Sequence, residues 1–173
     1  MGSRCVKMPV QPFTLIGATT KLSKLSAPLL NRFGIQLRFD FYDAESLSKV
    51  ILRDAECLNF AIDASAAHAL ASRSRGTPRI AKRLLRRTRD FANFEKRDSI
   101  DQAFVSHVLD HLDIDLHGLD AMDRKILKAI HHVYDGGPVG IEALAATLGE
   151  SKSTLEDVYE PFLVHKQLSL IHI

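Results

Sequence analysis

The sequence predicts an α/β segment followed by two mainly helical units, and three observations support this prediction. Residues 13–16 form a short apolar run, and residues 35–39 alternate apolar with polar side chains, as β-strands do. From Asp43 to about Asp113, apolar residues recur at the three- and four-residue spacing of packed helices. The remaining part contains three shorter helical patterns with a short turn between the second and third, which is typical of a helix-turn-helix.

The composition limits the classes of protein to consider. Of the 173 residues, 46% are hydrophobic and 25% are charged, which excludes a disordered chain. No apolar run approaches the roughly 18 residues of a membrane span, and no secretion signal opens the chain. Cys5 and Cys57 lie far apart and outside any CxxC pattern, so they indicate neither a disulfide framework nor a zinc site. We therefore expect a protein of the reducing cytoplasm.

The net charge changes sign along the chain. It is +5 for Met1–Tyr42, +1 for Asp43–Asp113 and −4 for Ile114–Ile173. Positive charge is therefore concentrated in the first part of the chain. The acidic residues 114–173 are not expected to bind nucleic acid through net positive charge.

The α/β segment combines the two strand patterns with one brief helix. Gly17-Ala18-Thr19-Thr20 closes the first strand pattern with small and hydroxylated residues, which suits a sheet edge that faces a ligand. An ordinary satisfied turn would explain these residues as well. The pattern at 26–34 predicts a short helix that Gly34 stops.

The first helical unit is predicted to contain four helices and no strand. Asp43, Asp63 and Asp101 each precede an apolar helical pattern and are predicted to cap it. The third helix starts after Gly76, with Thr77 as its cap and Pro78 at its first position, where the missing N–H costs nothing. Its apolar stripe is formed by Ile80, Ala81, Leu84, Leu85, Thr88 and Phe91, and most of its basic residues lie off that stripe.

After a short linker at 113–118, the last unit is predicted to fold as three helices. They cover Asp120–Tyr134, then Ile141–Leu148 up to Gly149, and a third from a capping box at Ser153 towards Val164. The third helix presents three acidic residues that would repel phosphates, so we expect that it does not read a major groove. These are Glu156, Asp157 and Glu160.

Several ordered blocks give the chain a specific resemblance. They are 17–20, 31–35, 74–87, 119–124, 136–140 and 156–161. With these blocks in this order, from about Gly2 to Gln167, the chain resembles the RuvB family, the bacterial motor ATPases that drive branch migration of Holliday junctions. The resemblance implies part of an AAA+ ATPase core at 1–42, a helical small ATPase domain (the lid) at 43–113, and a truncated winged-helix domain at 114–173.

The resemblance also assigns roles to four residues. Thr20 matches the sensor-1 position, and Arg32 matches the arginine finger that reaches the nucleotide of the neighbouring subunit. Tyr42 matches a nucleotide-contacting residue between the two ATPase subdomains, and Arg79 matches sensor 2. These residue types suit phosphoryl transfer, which depends on positioning and charge stabilisation. An arginine supplied by a neighbouring subunit raises the rate of that reaction by roughly 10³–10⁵-fold.

The resemblance implies cofactors, partners and a cellular role for a complete family member. It would use ATP with Mg²⁺ to translocate DNA as a homohexameric ring in the bacterial cytoplasm, with no membrane. It would work on double-stranded DNA at Holliday junctions together with RuvA, and with RuvC in the resolving complex, in DNA recombination and repair.

The departures from the family pattern limit what this chain alone can do. It contains no G-x-x-x-x-G-K-[ST] loop and no acidic block at the end of an apolar strand for Mg²⁺. We therefore expect a fragment that begins inside the large ATPase subdomain and does not hydrolyse ATP by itself. Lys21 stands at a position where arginine is frequent in the family. Leu168–Ile173 replaces the expected basic wing with residues that a sequencing adapter would encode, so we expect a truncated gene with a non-native end.

Two alternatives remain open. In a non-enzymatic winged-helix regulator of DNA, the basic helix would grip phosphates, but Arg32 and Arg79 would have no role. In a clamp-loader subunit of the same superfamily, the blocks after Gly136 would be unexplained. His107 and His111 have the spacing of a metal-binding pair, but without a third ligand nearby we interpret them as solvated and predict no metal site.

Overall fold

The structure, a computed structural model, describes residues 10–168. It divides between Phe39 and Asp40 into two compact units. Cys5 lies outside the described residues, and so does the predicted non-native ending except for Leu168.

The first unit contains little regular structure in its described part. A 3-10 turn covers Leu22–Lys24, and α1 covers Ala27–Leu30, shorter than the predicted helix at 26–34. The strand predictions at 13–16 and 35–39 are wrong for this structure, because both stretches are without strand pairing. Phe13, Ile16 and Phe39 are 71%, 88% and 83% exposed. A strand needs a hydrogen-bonded neighbour and a packed face, and the described residues of this unit supply neither.

The second unit begins with the predicted four-helix arrangement, which is α2 to α5. The helices are α2 (Ala44–Cys57), α3 (Ala64–Ser72), α4 (Pro78–Phe94) and α5 (Gln102–His111). Their starts follow from side-chain caps: the carboxylates of Asp43, Asp63 and Asp101 accept hydrogen bonds from backbone N–H groups at 2.6, 2.5 and 2.7 Å. These three predicted caps are confirmed. The N–H of Ser46 lowers the pKa of Asp43, and that of Ala66 lowers the pKa of Asp63.

One small correction concerns strands in this part of the chain. Two-residue strands, β1 (Ala61–Ile62) and β2 (Ser99–Ile100), pair in parallel with Ala61 opposite Ser99. The prediction of no strand here is therefore wrong. This short pairing joins the segments that precede α3 and α5, and the Asp63 N–H extends it to the Ile100 carbonyl at 3.1 Å.

Helices α2 to α5 surround one hydrophobic core. Their predicted apolar stripes supply it, and fully buried members include Leu47, Ile51, Leu70, Leu85 and Val105. In this packing the apolar stripe of α4 faces inward and most of its arginines face outward, in agreement with the predicted pattern.

A second core holds the last three helical segments together. Helix α6 covers Ala121–Val133, α7 covers Ile141–Leu148, and a third segment runs through α8 (Lys152–Thr154), a π-helical turn (Leu155–Tyr159) and α9 (Glu160–His165). The buried residues that these segments share include Ile126, Leu144, Leu155 and Leu163. Helix α7 ends as predicted, at Gly149 with φ of 70°.

The third segment corrects one prediction. Its cap is Ser151, whose Oγ accepts from the Thr154 N–H at 3.0 Å, and not Ser153. The π-helical turn immediately precedes Pro161. Proline lacks the N–H that an α-helix needs and clashes with the preceding turn, so a widened turn accommodates it. Across residues 10–168, no helix combines the length and the apolar character needed to cross a bilayer.

Candidate nucleotide-contacting residues

The first turn of α4 positions Arg79 and leaves the backbone N–H groups at the amino-terminal end of the helix without a side-chain cap. Gly76 has φ of +67°, and this left-handed turn brings the chain to Pro78 at the first helical position. Thr77 occupies the cap position, but its hydroxyl donates to the Ser74 carbonyl at 3.4 Å instead of capping. Within the described residues no side chain caps α4, so the predicted Thr77 cap is wrong. The first N–H groups of α4 are left for an anion, which a helix N-terminus attracts.

Tyr42 lies directly against this turn. Its backbone N–H donates to the Gly76 carbonyl at 2.8 Å, and its side chain is in the exposed class. Phe41 also contacts the turn, because a Cβ built on Gly76 would lie 2.8 Å from the Phe41 Cβ. The structure thus brings together Tyr42 and the turn that carries Arg79, two of the four residues that the resemblance singles out.

Arg79 begins a row of free arginines on α4. Arg79, Arg83 and Arg86 are exposed, and within residues 10–168 their guanidinium groups have no hydrogen-bond or ion-pair partner. Spacings of four and three residues place them along one side of the helix. The other basic residues of α4 do have carboxylate partners: Lys82 pairs with Asp54 at 3.0 Å, and Arg87 and Arg89 pair with Asp90 at 3.8 and 3.1 Å.

Thr20 and Arg32 belong to the first unit. Thr20 is exposed and precedes the 3-10 turn. Arg32 lies two residues after Leu30, the last residue of α1, and its backbone N–H donates to the Leu29 carbonyl at 3.1 Å. Its side chain is exposed and has no hydrogen-bond or ion-pair partner in the described part of the chain. An exposed arginine without a partner among the described residues is available to an anion elsewhere.

Sequence reasoning missed Arg75, which lies in the turn between α3 and α4. Its side chain is only 11% exposed and pairs with Asp120 and Asp123, the two members of the capping box that starts α6. The partners lie 45 and 48 residues away, so no local pattern could reveal the pairing.

Burial affects the two carboxyls of this cluster differently. Burial raises the pKa of Asp123 to about 6, despite the Asp120 N–H and Arg75. One of its oxygens, Oδ1, is buried and has no hydrogen-bond partner among the described atoms. Burial also acts to raise the pKa of Asp120, but the Asp123 N–H and Arg75 outweigh it and lower the pKa.

Two other features lie apart from these residues. A cavity of about 380 Å³ is lined by Ser65, His68, Ala69, Ser72, Arg73, Gln102 and Leu116, and contains neither Tyr42 nor Arg79. His107 and His111 are exposed, with ring centroids 4.4 Å apart, and His107 lies 3.7 Å from a Glu95 oxygen. Among the described residues no group of three or more potential ligands could hold a metal ion.

Comparison with known families accounts for this architecture. The model of the RuvB AAA lid domain matches residues 42–115, and that of the RuvB C-terminal winged-helix domain matches residues 116–170. The model of the P-loop domain of the Holliday junction DNA helicase RuvB matches residues 1–39. Together, the matches define the class of protein: an ATPase lid joined to a winged-helix domain and preceded by part of a P-loop domain.

Solved structures of Thermotoga maritima RuvB agree with this class. The one described as the Holliday junction branch migration motor is 50% identical, with a TM-score of 0.83, and the match covers 91% of this chain and 53% of that one. A mutant of the same protein matches with 50% identity and a TM-score of 0.84, over 92% of this chain and 53% of that one. The chain belongs to the RuvB family, and it spans about half the length of the RuvB structures that it matches.

Proposed function

We propose that this chain is part of an ATP-driven motor that moves DNA through Holliday junctions, to which it contributes the lid, the winged-helix domain and the trans-acting arginine. Its domains are proposed to be the end of the large ATPase subdomain at 1–42, the lid at 43–113 and the winged helix at 114–173. The chain alone is proposed not to hydrolyse ATP, because its sequence contains no Walker A loop.

One contact carries this proposal: the 2.8 Å hydrogen bond from the Tyr42 N–H to the Gly76 carbonyl. It fixes Tyr42 beside the turn that starts α4, where Arg79 is exposed and the helix is not capped. An aromatic ring, a free guanidinium and open backbone N–H groups suit a nucleotide with its phosphates. We therefore assign Tyr42 and Arg79 to contacts with ATP, Arg79 as sensor 2.

The other two residues are proposed to act on the γ-phosphate. Thr20 would sense it as sensor 1, and Arg32 would reach the nucleotide of a neighbouring subunit as the arginine finger. The exposed, unpaired state of Arg32 in the described part of the chain supports this role. ATP supplies the transferred phosphoryl group, and Mg²⁺ neutralises its charge. The loop that cradles the phosphates and the acidic ligands of Mg²⁺ would come from the part of the P-loop domain that this sequence does not contain.

The complete motor is proposed to be a cytoplasmic homohexamer that works with RuvA and RuvC on double-stranded DNA in recombination and repair. The third helical segment is acidic at Glu156, Asp157 and Glu160, so DNA contact is assigned to the wing that follows it in the family. These three acidic residues count against the alternative of an independent DNA-binding regulator, because negative charge on this segment would repel phosphates.

A chimaera tests the proposal. The amino-terminal half of T. maritima RuvB, joined ahead of this chain, would supply the P-loop. ATP turnover is then measured for the chimaera and for its Arg79→Ala and Arg83→Ala variants. These two arginines are a matched pair, since both are exposed on α4 without a partner in residues 10–168.

We expect Arg79→Ala to lower the turnover by roughly 10²-fold, the usual loss when one group that stabilises transition-state charge is removed. Arg83→Ala is expected to leave it unchanged. Equal turnover in the two variants would refute the assignment of Arg79.

A further inference from the structure

Arg75 joins the lid to the winged helix through four contacts. Its Nε donates to the Gly118 carbonyl at 3.1 Å, and its Nη2 donates to Oδ2 of Asp120 at 2.7 Å and to Oδ2 of Asp123 at 2.5 Å. The guanidinium also lies over the Phe162 ring, 4.8 Å from its centroid. Arg75 belongs to the turn before α4, whereas its partners lie in the linker, at the start of α6 and in α9. We call these five residues the Arg75 cluster.

The carboxylates that Arg75 meets are already held in place. Oδ1 of Asp120 accepts the N–H groups of Met122 and Asp123 at 2.9 and 3.0 Å, and Oδ2 of Asp123 accepts the Asp120 N–H at 2.9 Å. This reciprocal capping box fixes both side chains relative to α6. An arginine that binds them is therefore tied to the orientation of the whole helix and not to two flexible side chains.

Arg75 is the first of two successive residues in the left-handed region. Its φ is 55°, and that of the following Gly76 is 67°. These two residues form the sharp turn that leads into α4, so the Arg75 cluster is built directly onto that turn.

The linker between the domains is also fixed, and is not a loose tether. Gly118 has φ of +80°, and a Cβ there would lie 3.0 Å from the Arg73 carbonyl oxygen, so the linker backbone rests on the turn before α4. Asp115 Oδ1 accepts the N–H groups of His117 and Leu119, both at 2.9 Å. Arg124 of α6 donates to the Leu119 carbonyl at 2.9 Å and pairs with Asp113.

A second contact between the two domains is more exposed. The rings of Phe41 and His165 lie 4.4 Å apart, centroid to centroid, and both side chains are accessible to solvent. An exposed ring pair contributes less than a buried arginine that donates three hydrogen bonds, two of them to carboxylates. The Arg75 cluster is therefore the main fastening between the domains.

We propose that Arg75 is a positioning residue that makes the lid and the winged helix one rigid body. Arg79 lies four positions after Arg75, and only Gly76, Thr77 and Pro78 of the turn into α4 stand between them. A displacement of that turn is therefore passed directly to α6 and α9. The rigid-body claim stands on the contacts alone, whereas its use by a bound nucleotide rests on the proposed function.

Nuclear magnetic relaxation of backbone ¹⁵N nuclei in this chain tests the rigid body. The wild-type chain is expected to give the same rotational correlation time for α2–α5 and for α6–α9. Arg75→Gln, which removes the charge and the fork of donors, is expected to give two different times. Arg83→Gln is the matched control, since Arg83 is exposed and unpaired within the described residues, and is expected to behave like the wild type.

Asp123→Asn provides a second variant if Arg75→Gln does not fold. It keeps the side-chain volume and an acceptor for the Asp120 N–H. Measured above the raised pKa of Asp123, it also removes the charge that faces Arg75. We expect it also to separate the two correlation times. A single rotational correlation time in a folded Arg75→Gln chain would overturn the proposal. If Arg75→Gln is unfolded, a single correlation time in Asp123→Asn would do the same. Two different correlation times in the wild-type chain would also overturn it.

The chimaera described above adds a readout that a merely structural residue would not change. Arg75→Gln is expected to retain ATP turnover while the distance that DNA moves per ATP falls. Unchanged movement per ATP would show that the fastening plays no part in coupling. A chimaera without any ATP turnover would instead contradict the proposed function and would leave the relaxation result intact.

Discussion

Replacement of Gly76 by alanine tests the packing that places Tyr42 beside Arg79. A Cβ at this position would lie 2.8 Å from the Phe41 Cβ and 3.2 Å from the Tyr42 carbonyl oxygen, and both of these atoms are close to or part of the backbone. They cannot move aside as the end of a flexible side chain could. The alanine must therefore either push the segment at 41–42 away or distort the turn before α4.

Gly136 offers a matched control for the backbone contribution. Its φ of +69° is almost that of Gly76 at +67°, but no atom lies within 4 Å of a Cβ built there. An alanine in the left-handed region costs roughly 1–2 kcal/mol at either site. Only Gly76→Ala adds an overpacking cost, typically about 1–3 kcal/mol. We therefore expect Gly76→Ala to lower the free energy of unfolding by about 2 kcal/mol more than Gly136→Ala.

Urea unfolding followed by circular dichroism measures this difference. With a typical slope of about 2 kcal/mol per molar urea, the extra cost lowers the transition midpoint by roughly 1 M more than the control substitution does. The fall in unfolded-chain entropy that accompanies a glycine to alanine change is the same for both variants. Equal midpoints for the two variants would refute the close approach of Phe41 and Tyr42 to this turn.

Two further predictions concern the winged-helix part. Ser151→Ala should lower the free energy of unfolding by about 1 kcal/mol, because the Thr154 N–H loses its acceptor. Ser153→Ala should have almost no effect. The opposite order of the two variants in thermal unfolding would show that Ser153 is the cap. Burial raises the pKa of Asp123 from 3.8 to about 6, so its contribution to stability is present below pH 3.8 and is lost as the pH rises through 6. In urea titrations at several pH values, Asp123→Asn should remove this fall, and an unchanged pH profile would contradict the raised pKa.

The sequence predicted well where a local pattern determines the structure. Asp43, Asp63 and Asp101 cap helices in the structure because a carboxylate next to an apolar helical stretch meets its own helix N-terminus. Helix α7 begins and ends where the pattern of Ile141–Leu148 and Gly149 indicated. The family assignment is also confirmed, since ordered blocks along the chain are a stronger signal than any single motif.

The predictions failed where the outcome depends on residues distant in sequence. The strand patterns at 13–16 and 35–39 are without pairing in the structure, because alternation does not supply a neighbouring strand. The role of Arg75 depends on Asp120 and Asp123, far along the chain. The cap at Ser151 was missed because Ser153 has Glu156 three residues later, which is the spacing of a capping box, whereas the helix in the structure begins two residues earlier.

The proposed roles of Thr20, Arg32, Tyr42 and Arg79 remain predictions. Tyr42 and Arg79 are supported by their shared turn, and Arg32 by its exposed and unpaired side chain within residues 10–168. The role of Arg32 cannot be read from contacts within one chain, because the nucleotide that it is proposed to reach is bound by another subunit.

Rescue of ATP turnover in trans is the most direct test of the central claim, that this chain supplies an arginine finger to a RuvB ring. A T. maritima RuvB with alanine at its own finger position would be mixed with this chain, and with its Arg32→Ala and Arg38→Ala variants. A finger contributes roughly 10³–10⁵ in rate, so even partial assembly should raise turnover measurably. We expect rescue by the wild-type chain and by Arg38→Ala, but none by Arg32→Ala. Equal turnover with and without Arg32 would contradict the account.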